Sequence, residues 1–371
     1  MRISNWAKYV VSVSAVGILL AACTSSGGSS LAPTSNRLVS SAVHQEISRN
    51  QNVDLSLTPV APQGVKPQFR SVPNVRIIKP NCCALTKTLF VVDRSGGEQF
   101  VGGVSVFTFP TGALLGELPA PPEGWNQPIG ACADPSGNVY IANIRISTID
   151  EYSHSGAYIA TLADPEQFPD GCAYDRTTGN LAVANEIDGN GGPGSISIYH
   201  GGVLQHTYVP SNMSRVYFLG YEGGTGRLWL DGSDSSGFFQ YDSFRGGKFT
   251  NVGVHGATIG FPGMVQWSAK TKSMNVGDQD TFSAPTIYQV SNTGQITGAT
   301  VTQCEQPSNF CDIEQGVIRG SRLVGPDPVN ISVDIFPYPA GGRPESRIFG
   351  TLVEPVGTAV SPEKGSGDEP F

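Results

Sequence analysis

Acidic and amide residues recur at one position of a repeated strand in this sequence. The position lies four residues after the strand begins, and in the fourth repeat the acid comes one residue earlier. The residues are Asp93, Asn143, Asn185, Asp231, Asp278 and Asp327. If the repeated strands line a common channel, their oxygen atoms gather at one mouth, where they suit Ca²⁺, another divalent cation or a polar ligand. A structural role is the favoured alternative, because Asp and Asn are also common in turns at strand ends.

Familiar catalytic patterns are missing from the sequence. It contains no HExxH motif and no Gly-x-Ser-x-Gly motif, and its glycine clusters lack the Lys-Ser/Thr of a phosphate loop. The five histidines have no regular spacing. We therefore assign no catalytic residue.

Several aromatic residues have the size and shape to stack on a sugar or a peptide. They are Trp125, Trp229, Trp267, Tyr140 and Tyr288. Packing between neighbouring sheets is the favoured interpretation, since large aromatic side chains dominate protein cores.

Six cysteines follow Cys23, and an even number in an exported chain indicates disulfides. Cys304 and Cys311 bracket a short polar loop and are the pair we expect to be bonded. For Cys132 and Cys172, a disulfide and buried free thiols remain equal alternatives. The vicinal pair Cys82 and Cys83 is expected to face opposite sides of a strand. No CxxC pair is present, so a zinc site has little support.

Short apolar strands recur at intervals of 42 to 50 residues. They begin at Leu89, Val139, Leu181, Leu228, Met274 and Leu323. A repeat of this length is the signature of a stacked or radial architecture. Each unit offers three or four short strands that need neighbours to bury both faces, and a closed ring of such sheets leaves only short, protected edges. The fold class is therefore all-β, and the expected architecture is a six-bladed β-propeller, with seven blades, a solenoid and a β-sandwich as alternatives.

The segments before these strands share a motif. Pro128-Ile129-Gly130 leads through Gly137-Asn138 to a strand that ends Ala142-Asn143, and the segment from Pro169 to Asn185 repeats these features. The pattern resembles the NHL repeat, which implies a β-propeller over about residues 72–362, with a looser match in the last three units. A similar ring of acids in six-bladed lactonases of the gluconolactonase type carries a catalytic divalent metal. Their metal-binding glutamate has no match that we can place in this chain.

Residues 355–362 repeat the pre-strand segment, but no strand follows them. In a propeller such a segment pairs into the first blade and closes the ring, here beside Leu89 to Asp93. Residues 80–88 compete for the same place, and a blade formed by each of the two segments would raise the count to seven.

The N-terminus predicts export. Arg2 and Lys8 precede a short apolar run, as in a secretory signal. The run ends in Leu20-Ala21-Ala22-Cys23, which resembles the lipobox of bacterial lipoproteins. The resemblance implies a signal peptide over residues 1–22 and lipid attachment at Cys23, and Thr24 favours the outer membrane. A cleaved signal without a lipid is the alternative.

Composition limits the possible partners. Removal of residues 1–22 changes the formal net charge from −8 to −10, which argues against nucleic acid and anionic lipid as partners. The 46 glycines and 27 prolines suit an all-β chain with many turns. Residues 23–71 are polar and lack periodicity, so we expect a disordered tether, and residues 363–371 are expected to be a disordered tail.

These features together predict a lipid-anchored protein of the cell envelope, facing the periplasm or the cell surface. We expect its propeller to bind or to scaffold a protein, a peptide or a glycan. A metal-dependent lactonase or esterase that uses the channel acids is the alternative.

Overall fold

A computed structural model describes residues 87–97, 101–279, 281, 284–304 and 311–362. The predicted signal peptide, Cys23, the tether, Cys82, Cys83 and the C-terminal tail lie outside the described residues. Within these ranges, no helix has both the length and the apolar character needed to cross a membrane.

The described chain forms six four-stranded antiparallel sheets, the blades of a β-propeller. Blade 1 contains β1 (Thr88–Asp93), β2 (Gly103–Thr108), β3 (Leu114–Glu117) and the C-terminal β24 (Pro355–Ser361). Blade 2 contains β4 (Pro128–Ala133), β5 (Val139–Asn143), β6 (Thr148–Tyr152) and β7 (Tyr158–Ala163). Blade 3 contains β8 (Gln167–Tyr174), β9 (Asn180–Asp188), β10 (Ser195–His200) and β11 (Val203–Tyr208).

The remaining blades repeat this order. Blade 4 contains β12 (Arg215–Tyr221), β13 (Leu228–Ser233), β14 (Phe239–Arg245) and β15 (Lys248–Asn251). Blade 5 contains β16 (Pro262–Ser268), β17 (Ser273–Asp278), β18 (Thr286–Val290) and β19 (Ile296–Val301). Blade 6 contains β20 (Val317–Arg319), β21 (Arg322–Asp327), β22 (Ser332–Pro337) and β23 (Ser346–Ile348). A single turn of 3-10 helix, Ile144–Ile146, follows β5.

The C-terminal strand closes the ring as predicted. β24 pairs antiparallel with β1 in a register that places Val360 opposite Leu89 and Thr358 opposite Val91. The sheet order β24-β1-β2-β3 makes blade 1 from both ends of the described chain. Six blades are therefore present, and the seven-bladed alternative is not needed to accommodate residues 355–362.

The channel is lined by different strands from those that the acid pattern assumed. Six strands contact one another around the centre: β4, β8, β12, β16, β20 and β24. The apolar strands at Leu89, Val139 and their equivalents are the second strands of their blades. The expectation from the sequence that these strands are innermost is therefore wrong. In blades 2 to 6 the segment before the apolar strand is itself a strand and takes the inner place, and in blade 1 the C-terminal β24 does so.

The second strands are buried on both faces, because each blade is covered by the next. Every residue of β1 is buried, as is every residue of β5. Between blades 1 and 2, Phe90 and Val92 pack in one cluster with Ile141 and Tyr152. This burial explains why these strands are continuous apolar runs rather than alternating ones. The outermost strands are partly exposed, for example β3 and β15.

Glycines on the inner strands allow neighbouring backbones to touch. A Cβ added at Gly357 would lie 2.3 Å from the carbonyl oxygen of Ile129, and one added at Gly130 would lie 2.0 Å from that of Asp170. Gly171 approaches the carbonyl of Tyr217 in the same way, at 2.9 Å. The glycine of the Pro-x-Gly motif is therefore required by close backbone approach and not by a left-handed conformation.

Alanine at these glycines should loosen the ring. We expect Gly130→Ala and Gly357→Ala each to lower the free energy of unfolding by about 1–3 kcal/mol, the usual cost of overpacking a closed interior. Urea denaturation measures the change. Gly189→Ala is the matched control, because a Cβ there meets its nearest atom at 3.4 Å. Equal stability of the three variants would contradict the close-contact explanation.

Candidate functional site at the mouths of the channel

The central channel has two chemically different mouths. The inner strands begin at one of them, near Pro128, Pro169 and Pro355, and we name it the acidic mouth. They end at the other, near Tyr174, Tyr221 and Trp267, and we name it the aromatic mouth. A pocket of about 420 Å³ lies at the aromatic mouth. All six inner strands line this pocket, with Ala131, Cys172, Phe218, Val265, Val317 and Thr358 as one residue from each.

Three aromatic side chains occupy equivalent positions on adjacent blades. Tyr174 pairs with Leu181, Tyr221 with Leu228, and Trp267 with Met274, which are the first residues of the repeated apolar segments. All three aromatic residues are partly exposed and line the pocket.

The equivalent positions on the other three blades are small or aliphatic. They are Ile318 in blade 6, Val360 in blade 1 and Ala133 in blade 2. The aromatic residues therefore form a crescent on blades 3 to 5, and the opposite half of the mouth has smaller side chains.

Neighbouring residues hold the crescent in place. The ring of Tyr174 stacks on that of Tyr140 with centroids 6.1 Å apart. A Cβ at Gly223 would lie 2.6 Å from Nε1 of Trp267, so the absence of a side chain there makes room for the indole. Burial raises the pKa values of the Tyr174 and Tyr221 phenols. Both hydroxyls therefore remain protonated at neutral pH and can donate hydrogen bonds.

Gln315 forms part of the pocket floor by connecting three blades. Its Oε1 accepts a hydrogen bond from the Ala131 amide of blade 2 at 2.7 Å. Its backbone carbonyl accepts one from the Thr358 amide of blade 1 at 3.1 Å. A rigid polar floor under an aromatic rim is the usual design of a ligand site, in which apolar surfaces bind and a few polar groups orient.

Both cysteine pairs in the described region are joined. The Cys132–Cys172 disulfide links β4 to β8 across the boundary between blades 2 and 3, and both residues line the pocket. The Cys304–Cys311 disulfide closes the loop that precedes blade 6. Of the two alternatives for Cys132 and Cys172, the structure has the disulfide, because the two residues lie side by side on adjacent inner strands.

Three of the acids in the sequence-predicted ring cap backbone turns. Asp93 accepts hydrogen bonds from the amides of Val353 at 2.6 Å and Glu354 at 2.9 Å. Asp278 accepts hydrogen bonds from the amides of residues 260 and 261. Asp327 accepts three, from the amides of residues 312, 329 and 330, and burial raises its pKa to about 6. These carboxylates hold the loops that lead into the inner strands.

The amides and the remaining acid of that ring are also used inside their blades. Asn143 accepts a hydrogen bond from the Asn126 amide and donates to Asp150 at 3.1 Å. Asn185 donates to the hydroxyls of Ser195 and Ser197. Asp231 accepts a hydrogen bond from the Phe218 amide at 3.1 Å. In the part of the chain that the structure describes, no three His, Cys, Asp or Glu side chains are grouped so that they could hold a metal ion.

Among the five aromatic residues singled out in the sequence, Trp267 lines the pocket. Trp125, Trp229 and Tyr140 are buried, and Trp229 stacks on Tyr241 with centroids 5.2 Å apart. Tyr174, Tyr221 and Gln315 were missed. An alignment of the inner strands by register reveals the two tyrosines, because each stands a fixed distance before its apolar strand.

No protein-family model and no curated protein matches the sequence. Solved structures do match. A chain in a nidogen/laminin complex is 13% identical with a TM-score of 0.59, over 75% of this chain and 99% of that one. A protein of unknown function from Bacteroides caccae is 12% identical with a TM-score of 0.53, over 74% and 99% of the two chains.

A calcium-binding regucalcin from Agrobacterium tumefaciens is 17% identical over 64% of this chain and 78% of its own, but its TM-score of 0.47 is too low to support an argument. At these identities, the first two similarities establish the β-propeller fold and nothing about activity.

The capping role of the ring acids can be tested at Asp327. We expect Asp327→Ala to lower the free energy of unfolding by about 3 kcal/mol, because it leaves several backbone amides without an acceptor. Asp327→Asn keeps an acceptor oxygen at the same place and should retain most of the stability. Guanidinium denaturation measures both variants. Equal losses in the two variants would contradict the capping role.

Proposed function

We propose that this protein is a lipid-anchored protein of the bacterial cell envelope whose propeller binds an envelope ligand at the aromatic mouth. The anchor rests on the Leu20–Cys23 sequence and the preceding apolar run. The tether of residues 23–71 separates the anchor from the domain, and Thr24 favours the outer membrane. The Pro-x-Gly segments at Pro128, Pro169 and Pro355, which belong to three of the inner strands, support a propeller of the NHL type.

The observation that carries the binding role is the aromatic crescent. Tyr174, Tyr221 and Trp267 present partly exposed rings over a pocket of about 420 Å³. Aromatic side chains that remain partly exposed at a concave surface provide a large, rigid contact area at a low cost in conformational entropy. Uncharged segments suit this surface, because apolar and aromatic side chains dominate it. The pocket is also lined by Asp175, Arg176 and Glu222, so the ligand is a mostly uncharged stretch of a peptide or of a glycan.

A binding role is preferred to metal-dependent hydrolysis for a physical reason. A hydrolytic metal needs oxygen ligands that are free to coordinate it, and Asp93, Asp278 and Asp327 each have at least one carboxylate oxygen bonded to backbone amides.

The lipid anchor is testable by metabolic labelling. In a diderm host that is fed a labelled fatty acid, Cys23→Ser should abolish labelling and release the protein from the membrane fraction. The reason is that acylation requires the thiol of that residue. Cys82→Ser is the control and should keep both properties. Labelling that persists in Cys23→Ser would rule out the lipoprotein assignment.

Ligand binding is testable at the crescent. The purified protein would be screened on arrays of envelope glycans and of peptides, and the hits measured by calorimetry. Trp267→Ala should weaken binding of the hits at least 10-fold, which corresponds to about 1.4 kcal/mol for the lost stacking contact.

The control for this test is Phe238→Ala, since Phe238 is 68% exposed on a hairpin away from the pocket. It should bind like the unaltered protein. Equal affinities of the Trp267→Ala variant and the unaltered protein would show that the hits bind elsewhere. The two arrays distinguish a peptide from a glycan.

A further inference from the structure

Two acids near the acidic mouth lie at positions that most other blades fill with apolar or small residues. Asp170 stands between Pro169 and Gly171, where the equivalent residues are Ile129 in blade 2, Val356 in blade 1 and Glu314 before β20. Val356 packs into the apolar cluster between blades 1 and 2. Asp170 nevertheless is only 4% exposed.

Asp231 is the second departure. It precedes the last position of the repeated apolar segment, where the equivalent residues are small or apolar. These are Val92, Ala142, Ala184, Gly277 and Pro326. Asp231 is fully buried, and it interacts electrostatically with Asp170. Where local sequence conflicts with the structural pattern in this way, a functional role is the common reason.

These acids have oxygen atoms without partners. Within the described residues, the Asp170 carboxyl group makes no hydrogen bond, and its interactions are with the charges of Glu186, Glu314 and Arg94. Oδ2 of Asp231 and Oδ1 of Asp312 are buried without a hydrogen-bond partner. Because an unpaired buried oxygen costs about 1–3 kcal/mol, a ligand that donates hydrogen bonds would gain from binding here.

The arginines near these acids are already paired. Arg94 donates to Glu354, which also accepts a hydrogen bond from the hydroxyl of Ser95. Arg215 donates to Glu186. Each arginine therefore donates to a carboxylate other than those of Asp170, Asp231, Asp312 and Glu314. Tyr217 also lies within electrostatic reach of Asp170, and Asp278 and Asp327 lie within reach of Asp312.

We propose that the acidic mouth is a second binding site, which takes a primary ammonium or guanidinium group of an organic cation, with Asp170 as its principal acceptor. The carboxyl groups come from blades 3, 4 and 6, and the two arginines lie among them. A cation with several N–H donors spread over its surface can pair with such separated oxygens. A small metal ion requires several ligands around one point, and the described acids are not grouped in that way.

Binding at this site is coupled to proton release. Burial raises the pKa of Asp170 well above its usual range and that of Glu314 to about 7. The acids bind a cation in their charged form, so the proton must leave as the cation binds. Affinity should therefore increase as the pH rises through about 7, where the carboxyl group of Glu314 ionises.

Calorimetry of the purified full chain in detergent tests the site with three probes. They are a lysine tripeptide capped at both ends, spermidine and calcium chloride. At pH 8 we expect at least one of the two organic cations to bind, with an affinity at least 10-fold higher than at pH 6. Buffers of different ionisation enthalpy should reveal the released proton. A higher affinity for the tripeptide would indicate a peptide as the ligand, and a higher affinity for spermidine would indicate a free polyamine.

Three variants distinguish binding at this site from a general attraction of cations to the negatively charged protein. Asp170→Asn should weaken binding at least 10-fold at pH 8. Asp231→Asn, which keeps an acceptor for the Phe218 amide, provides the same test if Asp170→Asn does not fold. Glu345→Gln is the control, because it removes one negative charge at the outer edge of blade 6, where Glu345 pairs with Arg322 at 3.0 Å.

Three results would overturn the proposal. They are the absence of binding by both organic cations, unchanged affinity in a folded Asp170→Asn variant, and calcium binding that depends on Asp170. Because the probes bind at the end of the channel opposite the aromatic crescent, Trp267→Ala should leave their affinity unchanged. Failure of this site therefore does not bear on the ligand of the aromatic mouth.

Discussion

Backbone contact between neighbouring inner strands is the constraint on which this structure depends. Gly357 touches the carbonyl of Ile129, and Gly130 touches that of Asp170. Gly220 continues the series with a Cβ position 2.4 Å from the carbonyl of Val265. A side chain at any of these positions would push two blades apart. Since the six blades form a closed ring, that displacement cannot be absorbed at a free edge, and glycine is required where the strands meet.

The close ring explains how the remaining layers are built. The inner strands meet backbone to backbone, and the apolar core lies between the second strands of adjacent blades. Polar side chains then stabilise the turns inside each blade. Asp150 connects the amide of Asn143 with the hydroxyl of Thr161, and Asp242 accepts hydrogen bonds from Asn212 and Asn251. Acids in the repeat thus serve structure in most of the places where they occur.

Positions that depart from the repeat are more informative about function than positions that follow it. The crescent of Tyr174, Tyr221 and Trp267 interrupts a ring position that is aliphatic or small in the other three blades. Asp170 and Asp231 likewise stand where most other blades have apolar or small residues. Both departures are concentrated on blades 3 to 5, at opposite ends of the channel. A closed ring with strong internal repetition can present different chemistry at its two mouths because each blade contributes one residue to each mouth.

The sequence by itself determined the repeat, the all-β class, the six second strands and the closure of the ring by residues 355–361. All of these follow from local patterns, namely strand length, apolar runs and turn residues at fixed offsets. The tertiary structure decided which strands are innermost, that Cys132 and Cys172 are paired, and that Asp93, Asp278 and Asp327 hold backbone amides. These outcomes depend on distances between blades. A distance between blades is set by the glycine contacts at the centre, and residues far apart in the chain make those contacts.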